Sequence, residues 1–184
     1  MNVKGEIVKS ILNFIATKHS IFFDEWLNSL PASSKEIYTY HINGSSWYVS
    51  DEAIIMPIRI LSHIIYKNET MGARECGMYF AQNTYSGTSG IISKLFSPKY
   101  TISKGCRTFI SCFEASELEI VNYERQNSTI RITHLDNPDS IIENWFTGLL
   151  EQALQSSGCK NITIKKPRSL VNGDNSTEIT INWK

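Results

Sequence analysis

Apolar and polar positions follow two different periods along the chain. Over residues 1–115, apolar side chains recur every three to four positions, and Ile7, Ile11 and Ile15 mark one such face. This spacing predicts helices over 3–18, 22–30, 52–66, 70–85, 91–96 and 102–115. Segment 33–44 is predicted to begin as a helical turn and then to become extended. The first part of the chain is therefore expected to be mainly helical.

Two of the predicted helices carry features that affect their packing. Pro57 lies inside the helix predicted over 52–66, where it has no amide proton to donate and should cause a kink. The helix predicted over 70–85 carries a stripe of small residues, namely Gly72, Ala73, Gly77 and Ala81. Because these side chains project little beyond the backbone, a neighbouring helix is expected to approach this one closely.

The last third of the chain shows the clearest pattern. Its segments are, in order, two alternating strands (118–124 and 129–134), a helix from Asp139 to Gly158 with a wide apolar stripe, and two further strands (161–165 and 177–183). The alternating pair flanks a polar turn, which predicts a β-hairpin. The whole pattern predicts an α+β fold in one domain, 1–184, with a mainly helical part (1–115) and a ββαββ part (116–184).

Composition and charge argue against several classes of partner. Hydrophobic residues make up 41% of the chain and charged residues 20%, as in ordinary globular proteins. Lys+Arg and Asp+Glu number 18 each, so the net charge of zero gives no attraction to nucleic acid or to an anionic membrane surface. Charged residues interrupt the apolar positions of the N-terminus, and no apolar run approaches a membrane span. We therefore expect a cytoplasmic protein with no nucleic-acid or membrane partner.

The reactive residue types form no visible catalytic set. The 4 cysteines include no CxxC pair, which indicates reduced thiols. Arg107 would lower the thiol pKa of Cys106, but a nucleophilic cysteine also needs a base. His63 would suit a haem or metal ligand, whereas a hydrogen-bonded, partly buried histidine is the favoured interpretation. The glycine-flanked loop at 87–90 lacks the lysine of a nucleotide-binding loop. The sequence therefore predicts a protein that is not an enzyme.

Aromatic residues form the most informative group of candidates. The set is expected where helices face the sheet, and its members are Trp47, Tyr48, Tyr79, Phe80, Phe109, Phe113, Trp145 and Phe146. One interpretation is an ordinary core. The other is an apolar pocket that these rings line, which would bind a small hydrophobic ligand. Both interpretations stay open at this point.

Several segments of the chain resemble a known superfamily. They are Trp145-Phe-Thr-Gly-Leu-Leu-Glu-Gln-Ala-Leu, Gly158-Cys-Lys-Asn-Ile-Thr-Ile, Asn172-Gly-Asp-Asn and Thr177-Glu-Ile-Thr-Ile-Asn-Trp183. This order is similar to the C-terminal half of the 4-vinyl reductase-like domains, whose superfamily includes TRAPP vesicle-tethering subunits and haem nitric-oxide-binding domains. Upstream, Ser46-Trp47-Tyr48 and Met71-Gly72-Ala73-Arg74 resemble its myxobacterial-type group of uncharacterised domains. The resemblance covers about residues 45–184.

The resemblance implies helices packed on a twisted antiparallel sheet, with a ligand cavity between the two layers. Zinc-binding members carry cysteines at positions that correspond here to Ser169 and Thr177. Neither hydroxyl is a good zinc ligand, and only Cys159 lies nearby, so no metal is expected. The haem-binding branch uses a proximal histidine and a Tyr-x-Ser-x-Arg signature, and that signature is absent here. No cofactor is therefore expected.

Three hypotheses for function follow from the resemblance and the aromatic set. The favoured one is a non-enzymatic sensor domain of signalling type that binds a small apolar ligand and forms a homodimer through helices. An alternative is a protein-interaction adaptor similar to the vesicle-tethering subunits. A third is a haem-based gas sensor that uses His63. The first requires space for a ligand beside Trp145, whereas the adaptor requires only an exposed surface.

Overall fold

The structure of the chain is a computed structural model that describes residues 1–85 and 97–184. The loop predicted at 87–90 and the helix predicted over 91–96 lie outside the described residues. The first part comprises β1 (Asn2–Lys4), α1 (Gly5–Lys18), α2 (Phe23–Ser29), α3 (Ala32–Thr39), β2 (Trp47–Val49), α4 (Met56–Leu61), α5 (Glu69–Tyr85) and α6 (Pro98–Cys112). The second part comprises β3 (Ser116–Tyr123), β4 (Asn127–Leu135), α7 (Ser140–Ser156), β5 (Thr163–Arg168) and β6 (Thr177–Asn182).

Two short strands near the N-terminus differ from the sequence prediction. β1 and β2 pair antiparallel with Val3 opposite Tyr48, and Val3 also bridges Phe113 just beyond α6. Each strand has three residues, which is too short to show a period of two, so the pattern predicts helix from residue 3 onward. The part of 33–44 predicted as extended is instead helical up to Thr39. The β1–β2 pair ties the start of α1 to the end of α6.

The helix predicted over 52–66 is continuous but irregular. α4 forms its middle, and π-helical turns precede it (Asp51–Ile55) and follow it (Ser62–Tyr66). Pro57 cannot donate a hydrogen bond to the carbonyl of Ala53 one turn earlier. The hydroxyl of Tyr38 on α3 donates to that carbonyl instead, at 2.6 Å. The side chain of Tyr38 on α3 therefore supplies the hydrogen bond that the proline cannot donate.

The C-terminal strands form one antiparallel sheet in the order β3-β4-β6-β5. The predicted hairpin is confirmed as the β3–β4 pair, and β5 pairs with β6. On the central strands, Ile130 of β4 lies opposite Ile179 of β6, and both side chains are fully buried. Their neighbours along each strand point to the other face, as the alternation predicts. The α+β fold and the ββαββ unit are confirmed.

α5 and α7 cross with their backbones in contact. A Cβ atom added to Gly77 would lie 1.9 Å from the carbonyl oxygen of Trp145, and one added to Gly148 would lie 2.0 Å from that of Arg74. Such distances leave no room for any side chain at either position. The predicted close approach of a helix to the small-residue stripe is confirmed, and α7 is that helix.

One hydrophobic core joins the two parts of the chain. Buried apolar side chains from Val3 to Trp183 belong to a single cluster. Within residues 1–85 and 97–184, no helix has both the length and the apolar character that a membrane crossing requires.

Candidate functional site

Five of the eight predicted aromatic residues lie together in the core. They are Phe80 on α5, Phe109 on α6, Phe113 just beyond it, and Trp145 and Phe146 on α7. Their rings contact one another with centroids 4.4 Å apart for Phe109 and Phe146, and 5.5 Å apart for Phe113 and Trp145. These separations are those of directly packed rings, with no space for a ligand between them. We call this group the aromatic cluster.

The aromatic cluster contains one polar atom that lacks a partner. Trp145 is fully buried, and its indole N–H meets no hydrogen-bond acceptor among the described residues. A buried N–H without a partner costs about 1–3 kcal/mol of folding free energy. This donor is the one feature of the cluster that a buried ligand could satisfy.

The other three predicted aromatic residues lie outside the cluster. Trp47 is partly exposed on β2, and the ammonium of Lys4 lies 4.0 Å from the centroid of its indole. The Tyr48 hydroxyl accepts a hydrogen bond from the amide of Asn43 at 3.0 Å. Tyr79 lies on α5 and faces α1. The structure thus divides the predicted set into a filled core, the β2 surface and the α1–α5 interface.

Two pockets open along the interface of α1 and α5, one on each side of Tyr79. The larger has a volume of about 400 Å³ and is lined by Phe14, Lys18, His19, Tyr66, Glu75, Met78, Tyr79, Gln82 and Gln152. The smaller has a volume of about 240 Å³ and is lined by Glu6, Ser10, Tyr79, Phe80, Asn83 and other residues. We call the two pockets together the α1–α5 groove.

Tyr79 forms the divide between the two halves of the groove. Its ring packs on Phe14 of α1 with centroids 5.1 Å apart, and its hydroxyl lies 3.2 Å from that of Thr17. Tyr79 is also the residue that lines both pockets. Phe80, the next residue on α5, lines the smaller pocket and also packs on Trp145, with centroids 5.1 Å apart. The groove therefore reaches the edge of the aromatic cluster.

Polar groups lie at both ends of the groove. At one end, a ring nitrogen of His19 lies 2.9 Å from the Tyr66 hydroxyl. Burial lowers the pKa of His19, while the nearby Glu75 carboxylate acts in the opposite direction. At the other end, the buried hydroxyl of Ser10 has no partner among the described residues. A ligand in the groove would meet the rings of Phe14, Tyr79 and Phe80, with polar and charged side chains beside them.

A second polar centre lies where α7 meets the sheet. The carboxylate of Glu143 has no solvent exposure and lies 2.7 Å from the ammonium of Lys166 on β5. The Ser169 hydroxyl lies within 2.9 Å of both its oxygens, and the Thr177 hydroxyl donates to it as well. These two hydroxyls occupy the positions where the resemblance places the zinc ligands of other members. Here they satisfy a buried carboxylate instead.

The cysteine thiols lack the properties of nucleophiles or thiolate ligands. Burial raises the pKa of Cys106 to about 12. Burial also raises the pKa of Cys112 to about 12, and the Glu6 carboxylate, which accepts a hydrogen bond from its Sγ at 3.1 Å, adds to this rise. Burial raises the pKa of Cys76 and Cys159 too. In the part of the chain that the structure describes, no cluster of His, Cys, Asp and Glu side chains could hold a metal ion.

Haem does not fit the described residues. It would require a flat cavity and an axial ligand inside it. The aromatic cluster fills the interior beside α7, and the contact of α5 with α7 leaves no slot between these helices. His63 is exposed rather than partly buried as predicted, because it lies on the outer face of its π-helical turn. His41 and His134 are also exposed, and His19 lies at the groove.

The fold is shared with solved haem nitric-oxide-binding (H-NOX) proteins. An H-NOX protein from S. oneidensis in the Fe(II)NO state matches 98% of this chain and 99% of its own, with a TM-score of 0.72 and 12% identity. The unliganded Fe(II) H-NOX protein from K. algicida matches 98% of this chain and 96% of its own, with a TM-score of 0.69 and 12% identity. A variant of the T. tengcongensis H-NOX matches 98% of this chain and 97% of its own chain, with a TM-score of 0.59 and 14% identity.

At these identities the similarity establishes the fold alone. The matched structures are of haem nitric-oxide-binding proteins, one of the groups named in the sequence resemblance. Membership of the 4-vinyl reductase-like, tethering or myxobacterial-type groups stays a prediction. No family model and no curated protein matches the chain.

Proposed function

We propose that the chain is a non-enzymatic sensor domain of signalling type that binds a small apolar ligand in the α1–α5 groove without haem. The observation that carries the proposal is the groove itself, with Phe14, Met78 and Tyr79 along it and the Ser10 hydroxyl unsatisfied at one end. The ligand site proposed from the structure is therefore the interface of two helices, whereas the sequence pointed to the interior beside Trp145.

The size and lining of the groove indicate the class of ligand. Small-molecule sites have volumes of roughly 300–1,000 Å³. The larger pocket, of about 400 Å³, falls within that range. Aromatic and thioether side chains favour a flat apolar body, and the paired His19 and Tyr66 would orient one polar substituent. A ligand longer than this pocket would displace the Tyr79 side chain and enter the smaller one.

The position of the groove gives binding a route to the rest of the fold. One wall is α5, whose backbone contacts α7 at Gly77 and Gly148. The other wall is α1, which continues from β1 and so connects to Phe113 of the aromatic cluster. A ligand that separates α1 from α5 would alter both contacts, because packed helices shift as units. The similar structures are of H-NOX proteins, one of them in an Fe(II)NO ligation state, which supports a role in small-ligand binding.

The chemistry of the described residues supports a role without catalysis. Burial keeps the cysteine thiols protonated, so they are poor nucleophiles. The buried Glu143 is held by Lys166, Ser169 and Thr177, which leaves it no access to a substrate. The Cys112 thiol donates to Glu6 at the groove, but burial and that carboxylate both raise its pKa, which opposes thiolate formation.

The test is the binding of aminoanthracene, a neutral fluorescent apolar probe, to the full chain. Gln82 is exposed on α5 and lines the larger pocket, so Gln82→Trp would fill the pocket without disturbing the core. We expect micromolar binding by the wild-type chain and a loss of about tenfold or more in the variant, which corresponds to about 1.4 kcal/mol. Glu36→Trp, at an exposed position on α3, is the matched control and should bind like the wild type. Equal affinities for all three proteins would contradict the proposal.

A second candidate function, a protein-interaction adaptor, is favoured by one observation. β3 is an edge strand that packs against α6, and both elements expose apolar side chains, notably Ile110 and Val121. Exposed apolar surface of this kind is typical of interaction sites. A homodimer through α6 and β3 is the assembly that this surface would support.

Light scattering during size-exclusion chromatography should then give a dimer mass for the wild type and a monomer mass for Ile110→Glu. A monomer at all concentrations would exclude it.

A further inference from the structure

A polar cleft lies between α5, α7 and β5, apart from the α1–α5 groove. Its volume is about 240 Å³, and it shares no lining residue with the groove. It is lined by Thr70, Arg74, Asn144, Thr147, Glu151, Ile162, Ile164 and Lys166. We call it the α5–α7–β5 cleft.

Two ion pairs in the cleft are oriented with their cations outward. Lys166 is paired with Glu143, and the side-chain exposures are 23% for the lysine and 0% for the glutamate. Arg74 is paired with Glu151, and the exposures are 37% for the arginine and 12% for the glutamate. Although the four charges cancel, each cation is more exposed than its carboxylate partner. The cations are therefore the more accessible charges of the cleft, which Glu151 also lines.

The cations also have N–H groups to spare. Glu151 occupies the edge of the Arg74 guanidinium formed by Nε and Nη2. The second edge, formed by Nη1 and Nη2, has no acceptor in the described part of the chain, and its two parallel N–H groups match a carboxylate. The Lys166 ammonium has three N–H groups, and it donates to Glu143 and to the Asn144 side chain, at 2.7 and 3.3 Å. A cleft with unused donors on two cations is suited to an acceptor-only group.

We propose that the α5–α7–β5 cleft binds a small organic carboxylate. The carboxylate would accept hydrogen bonds from the free edge of Arg74 and from Lys166, and the Thr70 hydroxyl at the start of α5 would add a donor. The half-buried Ile162 and Ile164 form an apolar wall that an inorganic anion would leave uncovered. This wall favours an organic acid over free phosphate. The site is independent of the groove, so it stands or falls separately from the proposed function.

The experiment is an NMR titration of the full chain with benzoate, and its side-chain readout is the Nε–H signal of Arg74. Benzamide, the neutral analogue, and inorganic phosphate are the comparison ligands. We expect benzoate to bind at least about tenfold more tightly than either, because only benzoate combines the charge with an apolar body. Equal binding of benzamide would show that the charge of the ligand plays no part, and equal binding of phosphate would show that the apolar wall plays none. Either result would contradict the proposal. The absence of shifts with benzoate at millimolar concentration would also overturn the proposal.

Variants separate ligand binding from structural roles of the same ion pairs. Arg74→Gln removes the free edge and should weaken benzoate binding about tenfold. Glu151→Gln removes the competing carboxylate and leaves the guanidinium, so it should bind benzoate as well as or better than the wild type. A purely structural role of the pair would make both variants bind benzoate more weakly.

Thr70 is exposed in the first turn of α5, where an acidic residue favours the helix, so Thr70→Asp should fold yet repel the ligand. Unchanged binding by Thr70→Asp would contradict the proposal.

Discussion

The buried carboxylate of Glu143 and the partly exposed ammonium of Lys166 form an ion pair 2.7 Å apart, between the first turn of α7 and the middle of β5. The glutamate has no solvent exposure, and it receives further hydrogen bonds from the Ser169 and Thr177 hydroxyls. Among residues 1–85 and 97–184, every donor to this carboxylate comes from β5, β6 or the segment between them. The carboxylate therefore fixes α7 against the last two strands of the sheet.

Removal of the lysine should destabilise the fold because it leaves Glu143 buried without a counter-charge. For Lys166→Met we expect the free energy of unfolding to fall by about 3 kcal/mol. Lys165→Met is the matched control, since Lys165 is exposed on the other face of β5, and its cost should be within about 0.5 kcal/mol. Urea denaturation followed by circular dichroism measures both. Similar costs for the two variants would show that the buried pair does not hold α7 in place.

The crossing of α5 and α7 gives a second prediction about stability. A methyl group on Gly77 would meet the Trp145 carbonyl oxygen at 1.9 Å, so Gly77→Ala should force the helices apart and cost about 3 kcal/mol. A Cβ atom at Gly44 would lie 3.8 Å from its nearest neighbour, so Gly44→Ala should change the free energy of unfolding by less than about 0.5 kcal/mol. Thermal unfolding compares the two. A Gly77→Ala variant as stable as the wild type would mean that the helix contact is not tight.

Haem provides a prediction with a spectroscopic readout. Because packed rings fill the interior and no described histidine enters it, protein purified from haem-supplied cells should show no Soret absorbance band. Added haemin should leave the spectrum of free haemin unchanged. A stoichiometric Soret band that is lost in His63→Ala would restore the gas-sensor hypothesis. A band that is lost in His19→Ala would place haem at the groove.

The His19–Tyr66 contact predicts a pH dependence. Burial holds the pKa of His19 below its ordinary value of about 6.5, so the unfolded chain binds a proton at a higher pH than the folded one. The contribution of this histidine to stability is therefore complete above about pH 6.5 and is lost as the pH falls through the folded pKa. Glu75 faces the ring and reduces the effect.

The variant His19→Gln isolates this contribution from the other titrating groups. It keeps a neutral hydrogen-bonding side chain beside the Tyr66 hydroxyl. Between about pH 7.5 and about pH 5.5, the Tm of the wild type should fall further than that of His19→Gln. Parallel decreases in the two proteins would assign the pH dependence to other groups.

The central strands β4 and β6 were predictable because each has one clearly buried face. Ile130 and Ile132 on β4 alternate with polar residues, and a strand with one buried face shows that period directly. The small residues of α5 likewise indicated a close helix neighbour. β1 and β2 were not predictable, since three residues cannot show a period and their pairing depends on contacts across the fold.

The candidate sites were harder to predict because their residues are far apart in sequence. Tyr79 was a candidate, but its position at the groove depends on α1, and its contact Thr17 is 62 residues away. Glu143 was missed because a carboxylate on a helix is usually solvated. No local signal marks its burial, because Glu143 shares the polar side of α7 with Ser140, Asn144, Thr147 and Glu151.

The interior and the groove can be distinguished within a single experiment. Titration of the ¹⁵N-labelled chain with aminoanthracene should shift the backbone amide signals of Ser10 and Tyr79 on the groove walls. The indole N–H signal of Trp145, inside the aromatic cluster, should shift little, as should that of the distant Trp26. This result would place the ligand in the α1–α5 groove over a filled core. A large shift of the Trp145 indole with the groove amides unchanged would contradict the account and place the ligand in the interior.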